Sequence, residues 1–244
     1  MLEVLQRVFE RAKGDWMTEP ANGIRYATLL DVESTGLDPN NDRTIEVAVT
    51  LFDVKHAQPA ASMACLIKGP AENAAEAVNG IPAAMLPEGR EADRVWAAVR
   101  WIIEPAQVII AHNAAFDRQF CPDLGRPFIC SEEDIKWPGR ARGGSLVHLA
   151  LSLGLGVASA HRAAADVDTL SRILTRLAEL GHPLEPILIH AMRPKVMCIS
   201  LARYEQKDIV KKHGFRWEDS NKTWWRRMPL EDTAALPFKV RVQG

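Results

Sequence analysis

The chain has 244 residues, 47% of them hydrophobic and 25% charged, with a formal net charge of −1. That composition is ordinary for a soluble globular protein, long enough for one large domain with an appendage or two modest ones. No stretch approaches the run of about 18 apolar residues that a membrane span needs, so no membrane partner is expected.

The first segment, MLEVLQRVFERAKGDW, lacks a signal peptide's apolar core, and Leu2, Leu5, Val8 and Phe9 read as one face of a short docking helix in an extension over 1–23. The four cysteines, Cys65, Cys121, Cys130 and Cys198, form no CxxC pair. In a chain of this size they predict reduced thiols in a cytoplasmic protein.

Apolar, β-branched runs at 24–33, 43–53 and 61–69, separated by turn chemistry such as LDPNND, predict three hairpin-linked strands. EADRVWAAVRWIIEP follows with Val95, Val99, Ile102 and Ile103 at helical spacing, then a short strand, AQVIIAH. Helical patterns recur at AAFDRQFC, SLVHLALSL and ADVDTLSRILTRLAELG, the last closed by Gly181 and Pro183. This order predicts a mixed α/β layer fold over 24–181. The loop PGRARGG interrupts it; Arg140 and Arg142 fit either phosphate contacts or a solvated loop.

Beyond Gly181 the proline-rich HPLEPILIHAMRPK reads as a linker, 182–192. VMCISLA then predicts a strand, EQKDIVKKHG a short helix, and FRWEDSNKTWWRRM a hairpin turning at Asp219–Asn221, together a small α+β module over 193–244. From Arg193 to Arg227 ten Lys/Arg face four Asp/Glu, a balance of +6, which leaves −7 on residues 1–192. An acidic body with a basic tail implies two modules.

The chemistry concentrates in a few acids. In LLDVESTGL, Asp31 and Glu33 stand two residues apart at the end of an apolar strand and therefore share a face. Two buried carboxylates that close need a positive partner, and a divalent cation satisfies the need. VIIAHNAAFD ends a strand and begins a helix with Asp117 in the first turn. AHRAAADVDTL supplies His161 and Asp166. On the last helix Asp166 falls in the apolar stripe of Val167, Leu170, Ile173, Leu174, Leu177 and Leu180, whereas Asp168 falls opposite it. Asp166 is thus the inward acid.

Three ordered motifs carry a resemblance. Asp31-x-Glu33-Ser34-Thr35-Gly36-Leu37, then His112-Asn113-x-x-Phe116-Asp117, then His161-Arg162-x-x-x-Asp166 resemble the exonuclease motifs of the DnaQ-like family in its DEDDh branch, over about residues 25–180. The resemblance implies an RNase H-like fold, a mixed central sheet flanked by helices, and 3′–5′ removal of nucleotides with two Mg²⁺ or Mn²⁺ ions. It implies that Asp31, Glu33 and Asp166 ligate metal directly, that Asp117 completes the site partly through water, and that His161 is the general base. It assigns Leu37 and Val78 as apolar wedges against the terminal bases, and backbone groups of Thr35 and Gly36 to the terminal sugar. Ser34, Asn79, His112, Asn113 and Phe116 complete the substrate-binding set, His112 as a hydrogen-bonding residue rather than a base. Ser34 stands where threonine is common, and Asn79 where many relatives have histidine or threonine, which leaves substrate preference open.

The chemistry suits these residue types independently. Phosphodiester hydrolysis builds charge on both attacking and leaving oxygens, and hard cations that neutralise it prefer carboxylate oxygens. The partner implied is nucleic acid with a single-stranded or frayed 3′ end, DNA ahead of RNA. An exoribonuclease, or a non-catalytic nucleic-acid-binding or polymerase-associated subunit, remain the alternatives. In the basic module, KHGFRWEDSNKTWWRRM resembles small GF-x-W…W modules appended to nucleic-acid enzymes. Lys207, Lys211, Lys212, Arg216, Arg226 and Arg227 would hold phosphates while a tryptophan stacks; a structural cap is the competing reading.

Overall fold

A computed structural model describes residues 23–138 and 144–243. The expected N-terminal helix, and Arg140 and Arg142, lie outside the described residues. Strand β1, Tyr26–Ser34, is a nearly continuous apolar run because both of its faces are covered. Ala27 and Leu29 pack into one core, and Tyr26, Leu30 and Val32 into another. It pairs antiparallel with β2, Thr44–Asp53, which pairs antiparallel with β3, Gln58–Leu66.

A single turn of helix, α1 (Glu76–Asn79), and a 3₁₀ turn, Ala83–Glu88, lead to α2, Ala92–Ile103. Helix α2 buries Val95, Val99, Ile102 and Ile103, as its spacing predicts. Strand β4 (Val108–Ala111) lies parallel to β1 and runs into α3 (Ala114–Phe120). Strand β5 (Phe128–Cys130) lies parallel to β4 and closes a mixed sheet in the order β3-β2-β1-β4-β5. Helices α4 (Leu146–Ser152) and α5 (Ala163–Glu179) cover the face opposite α2 and α3. This is the RNase H-like arrangement the sequence implies. Leu180, expected in the apolar stripe of α5, instead caps the helix end and is exposed.

The segment expected to be a linker is helical. Helix α6, Leu184–Met192, buries Leu184, Leu188 and Ala191 in the core beneath α5. Pro183 occupies the cap and Pro186 the first turn, where a missing N–H costs nothing because no intrahelical acceptor awaits it. The proline count marked a helix start, and the larger unit therefore continues to about residue 192.

The basic segment folds as a four-stranded antiparallel sheet in the order β7-β8-β6-β9. Its elements are β6 (Val196–Ser200), α7 (Lys207–Lys212), β7 (Arg216–Glu218), β8 (Thr223–Met228) and β9 (Val240–Gln243). A separate small core gathers Cys198, Val210, Phe215 and Met228, with Trp224 packed against it. All four cysteines are free. Among the described residues no helix is long and apolar enough to cross a membrane.

Because α6 shares the main core, Leu188→Ala should lower the unfolding free energy by about 2–5 kcal/mol. A chain ending at Gly181 should melt well below one ending at Pro194, as thermal denaturation of the two truncations will show.

Candidate active site

The row Ala27–Leu29 on the α5-facing side of β1 continues to Asp31 and Glu33, so the same alternation that buries the leucine delivers two acids to the strand's end. Asp166 sits in the first turn of α5. Carboxylate oxygens of Asp31, Glu33 and Asp166 lie within 4.8 Å of one another. Asp168, on the opposite side of α5, is solvated beside Arg172. The helix-face assignment of the inward acid is therefore the one the fold adopts.

Asp117 reaches the cluster from α3 and is 1% exposed. Its Oδ1 accepts the Val32 N–H at 3.1 Å, between the two strand acids. Its Oδ2 is buried without a hydrogen-bond partner. A buried orphan carboxylate oxygen is costly, and beside three further carboxylates either a cation or a proton relieves that cost. The all-oxygen donor set suits Mg²⁺ or Mn²⁺ rather than a softer metal. These residues fit a divalent metal ion.

Electrostatics carry the same message. Burial, and then Asp117, Asp166, Glu33 and Glu46, hold the Asp31 carboxyl well above its usual range. Burial, with Asp166 and Glu46, pushes Glu33 to about 7, against the lowering influence of Arg162. Burial pushes Asp117 to about 7 although the Val32 N–H opposes the rise. Burial also raises Asp166, which the His161 N–H partly offsets.

His161 precedes α5 with φ +59°, a left-handed conformation that is strained for a residue other than glycine. Its backbone N–H donates to Asp166 Oδ2 at 3.0 Å, tying the turn to the acid. One residue on, Arg162 donates to both oxygens of Glu46 at 3.1 and 2.7 Å, and Ala163 N–H donates to the same carboxylate at 3.0 Å. Glu46 is only 4% exposed and stands opposite Glu33 in the β1–β2 register. It fixes the N-terminus of α5 and hence both His161 and Asp166. The sequence reading gave Glu46 no role; the signal was an acid inside the apolar run TIEVAVT.

The remaining predicted residues fall into two groups. Leu37 (85% exposed) and Val78 (63% exposed) project from the turns after β1 and in α1. Asn79 Nδ2 donates to the Ser34 carbonyl at 3.1 Å and ties those turns together, so Asn79 is buried and committed to structure. Ser34 donates its hydroxyl to the Gly36 carbonyl, and the Thr35 hydroxyl and amide are engaged by Asp42 and Arg43. At Gly36 a Cβ would come too close to the Asp42 carboxylate, so a larger residue there would require that side chain to shift. His112 Nδ1 lies 2.9 Å from Ser131 Oγ, and burial lowers its pKa. Asn113 caps α3 at φ +62°, a conformation asparagine tolerates. Phe116 packs on Phe120 at 4.8 Å between ring centroids.

In the basic module the charge is partly used. Arg216 pairs with Glu133 at 2.7 Å, and Arg226 donates to the His213 carbonyl at 2.6 Å. Lys211 lies over Trp224 and Lys207 over Tyr204.

A mixed five-stranded sheet with an acidic cluster at the end of its central strand has RNase H-like architecture. Residues 28–123 match a family model described as an exonuclease. Residues 199–243 match a second, described only as a domain of unknown function, DUF8626. PolC-type DNA polymerase III from Thermotoga petrophila and from Thermotoga maritima are each 30% identical over 163 residues, 62% of this chain. The chain spans 12% of those relatives' length. Among solved structures, exonuclease X in complex with 5′ overhanging duplex DNA superposes with a TM-score of 0.52 at 23% identity, over 67% of this chain and 99% of that one. The nuclease domain of 3′hExo, a DEDDh family member bound to rAMP, gives 0.52 at 15%, over 65% and 94%. The larger unit thus resembles an exonuclease family model over residues 28–123 and shares the fold of these solved exonucleases.

Two outcomes are expected. Glu33 and Asp117 have folded-state pKa values raised above those of the unfolded chain, so their contribution to stability is fully present below about pH 4 and is lost as pH rises toward 7. Metal-free protein should therefore melt lower at pH 8 than at pH 5, Asp117→Asn should flatten that slope, and Mn²⁺ should raise the melting temperature most at pH 8. Glu46→Ala should cost about 2–3 kcal/mol, since it leaves Arg162 and a buried N–H without their charged acceptor. Denaturant titration measures this, and turnover should fall with it through displacement of α5.

Proposed function

We propose that the protein is a metal-dependent 3′–5′ exonuclease that releases nucleoside 5′-monophosphates from single-stranded or frayed 3′ ends, DNA in preference to RNA. The observation that carries this reading is the convergence of three carboxylates within 4.8 Å on a fourth whose Oδ2 is buried and unpartnered. Asp31, Glu33 and Asp166 would hold two divalent cations directly, with Asp117 completing the cage partly through water. Bound there, such cations supply the positive charge that offsets what develops on the attacking and leaving oxygens.

The protein's own groups do the rest. His161, on a strained turn beside Asp166, takes the proton of the attacking water. Its exposed position before α5 lets it meet substrate and solvent together. Leu37 and Val78 are large apolar side chains left in water, and terminal bases would cover them. The turn around Gly36 brings backbone close to where the terminal sugar would lie, and Asn79 keeps Val78 in place beside it.

Asp31→Ala and Asp166→Asn should each abolish hydrolysis, whereas Asp168→Asn should leave it near wild type. His161→Ala should slow turnover ~10²–10⁴-fold with metal binding retained, because a base lowers the barrier without building the cage. Time courses on 3′-labelled single-stranded DNA, mismatched duplex and RNA, with metal titration by calorimetry, measure both. A metal isotherm lost in His161→Ala would remove the base assignment. Intact acids with no hydrolysis of any substrate would favour a non-catalytic binding subunit, and faster RNA trimming would reverse the substrate preference.

A further inference from the structure

The basic module meets the nuclease unit along the carboxyl end of β5. Lys195 pairs with Asp134 at 3.1 Å, Arg216 with Glu133 at 2.7 Å, and Lys136 with Asp232 at 3.2 Å. Beside these pairs a groove of about 540 Å³ remains open between the two units. Its floor on the nuclease side begins at Asn113 and follows Ala115 and Arg118 along α3, the helix that carries Asp117. The groove therefore starts about one helical turn from the acidic cluster. Its other wall is the face of the module's sheet that bears Trp225 and Arg227.

Strand alternation sorts the module's side chains. Trp224 packs on the module's own core and against Trp217, 5.3 Å between ring centroids, on the side where Lys211 of α7 lies. Trp225 and Arg227 point the other way, into the groove. Five cations line it against two carboxylates, Glu133 and Asp134. Of the five, Arg193, Lys195 and Arg216 are held in ion pairs. Among the described residues neither Arg118 nor Arg227 makes an ion pair; Arg118 lies over the Phe128 ring at 6.0 Å. The result is a channel with a half-buried indole and two guanidinium groups outside any ion pair, opening beside the acidic cluster.

We infer that this groove holds the single-stranded polynucleotide leading to the acidic cluster, with a base stacked on Trp225 and phosphates on Arg227 and Arg118. The inference rests on the nuclease reading for its direction, but the groove's own chemistry supports it: guanidinium groups for phosphate and one aromatic face for any base. It moves the nucleic-acid contact from the lysines of α7, which lie on the module's far face, to the seam.

The test uses the full-length protein and 5′-fluorescein-labelled dT20, U20 and a 20-base-pair duplex, with anisotropy read in EDTA so that nothing is cleaved. Trp225→Ala should weaken dT20 binding about tenfold, the loss expected of one base–aromatic stack, and Trp225→Phe should recover most of it. Arg227→Gln should reduce the salt dependence by about one phosphate contact, and by more than Lys212→Gln does. With Mg²⁺ added, the ratio of kcat/KM for dT20 to that for a trinucleotide should fall about tenfold in Trp225→Ala. Tighter binding of dT20 or of U20 tells whether the strand is DNA or RNA. Folded Trp225→Ala and Arg227→Gln with wild-type affinity for both strands would overturn the groove while leaving the exonuclease reading intact. Loss of strand binding in a protein that cleaves nothing would keep the groove and remove that reading. Duplex bound as tightly as the single strands, with the same losses, would overturn the single-strand assignment.

Discussion

Mutual repulsion among four carboxylates is the constraint on which the rest of this structure depends. Burial raises the pKa values of all four acids, and the neighbouring carboxylates raise those of Asp31, Glu33 and Asp117 further. Left to relax, such a cluster would open to solvent or protonate. It stays closed because each acid is carried by an element whose position is decided elsewhere, and the raised pKa values are the consequence. Asp31 and Glu33 ride on a strand covered on both faces, Asp117 on a helix that springs from the neighbouring strand, and Asp166 on a helix whose apolar stripe is buried over 163–179. Core packing supplies the free energy that holds the acids together.

The backbone spends its hydrogen bonds on the same problem. Val32 N–H turns toward Asp117 and His161 N–H toward Asp166, so two of the four acids keep a fixed orientation without a positive side chain in the site. Among the described residues, the guanidinium that bears on Glu33, Arg162, is drawn to Glu46. That arrangement is informative. An arginine inside the cluster would satisfy the acids permanently and leave nothing for a cation to gain. Placing Glu46 one strand away diverts Arg162 into a structural role and fixes the start of α5, so that Arg162 only partly offsets the raised pKa of Glu33.

Much of this was legible in the sequence because the chemistry sits on regular elements. Period-two alternation put Asp31 and Glu33 on one face, and period 3.6 separated Asp166 from Asp168. What was not legible depends on distant pairing. Glu46 reads as a strand residue until Arg162, 116 positions away, is seen to meet it. Helix α6 was hidden by its prolines, which sit at the cap and in the first turn. Strand β5 has three residues and β9 four, too few for a period to show. The commitment of Asn79 to the Ser34 carbonyl likewise joins residues 45 apart, so a position that looked like a substrate contact serves to hold Val78 beside the turn.

The charge asymmetry between the two units also acquires a more specific meaning. A +6 segment against a −7 body suggests long-range attraction of a polyanion, yet part of that charge never reaches solvent as free cation. Lys195, Arg216 and Arg193 are engaged by acids, the first two by the nuclease unit itself. Exposed pairs of this kind contribute little to stability singly, but several along one edge fix orientation. Docking the module through its paired cations turns Trp225 and Arg227 toward α3 rather than toward bulk water. A module that served only as a cap would have no need to keep an indole and an arginine facing an open channel, when closing that channel with apolar side chains would bury more surface. The same seam that satisfies the acidic body thus sets the direction in which Arg227 faces: into the groove beside α3.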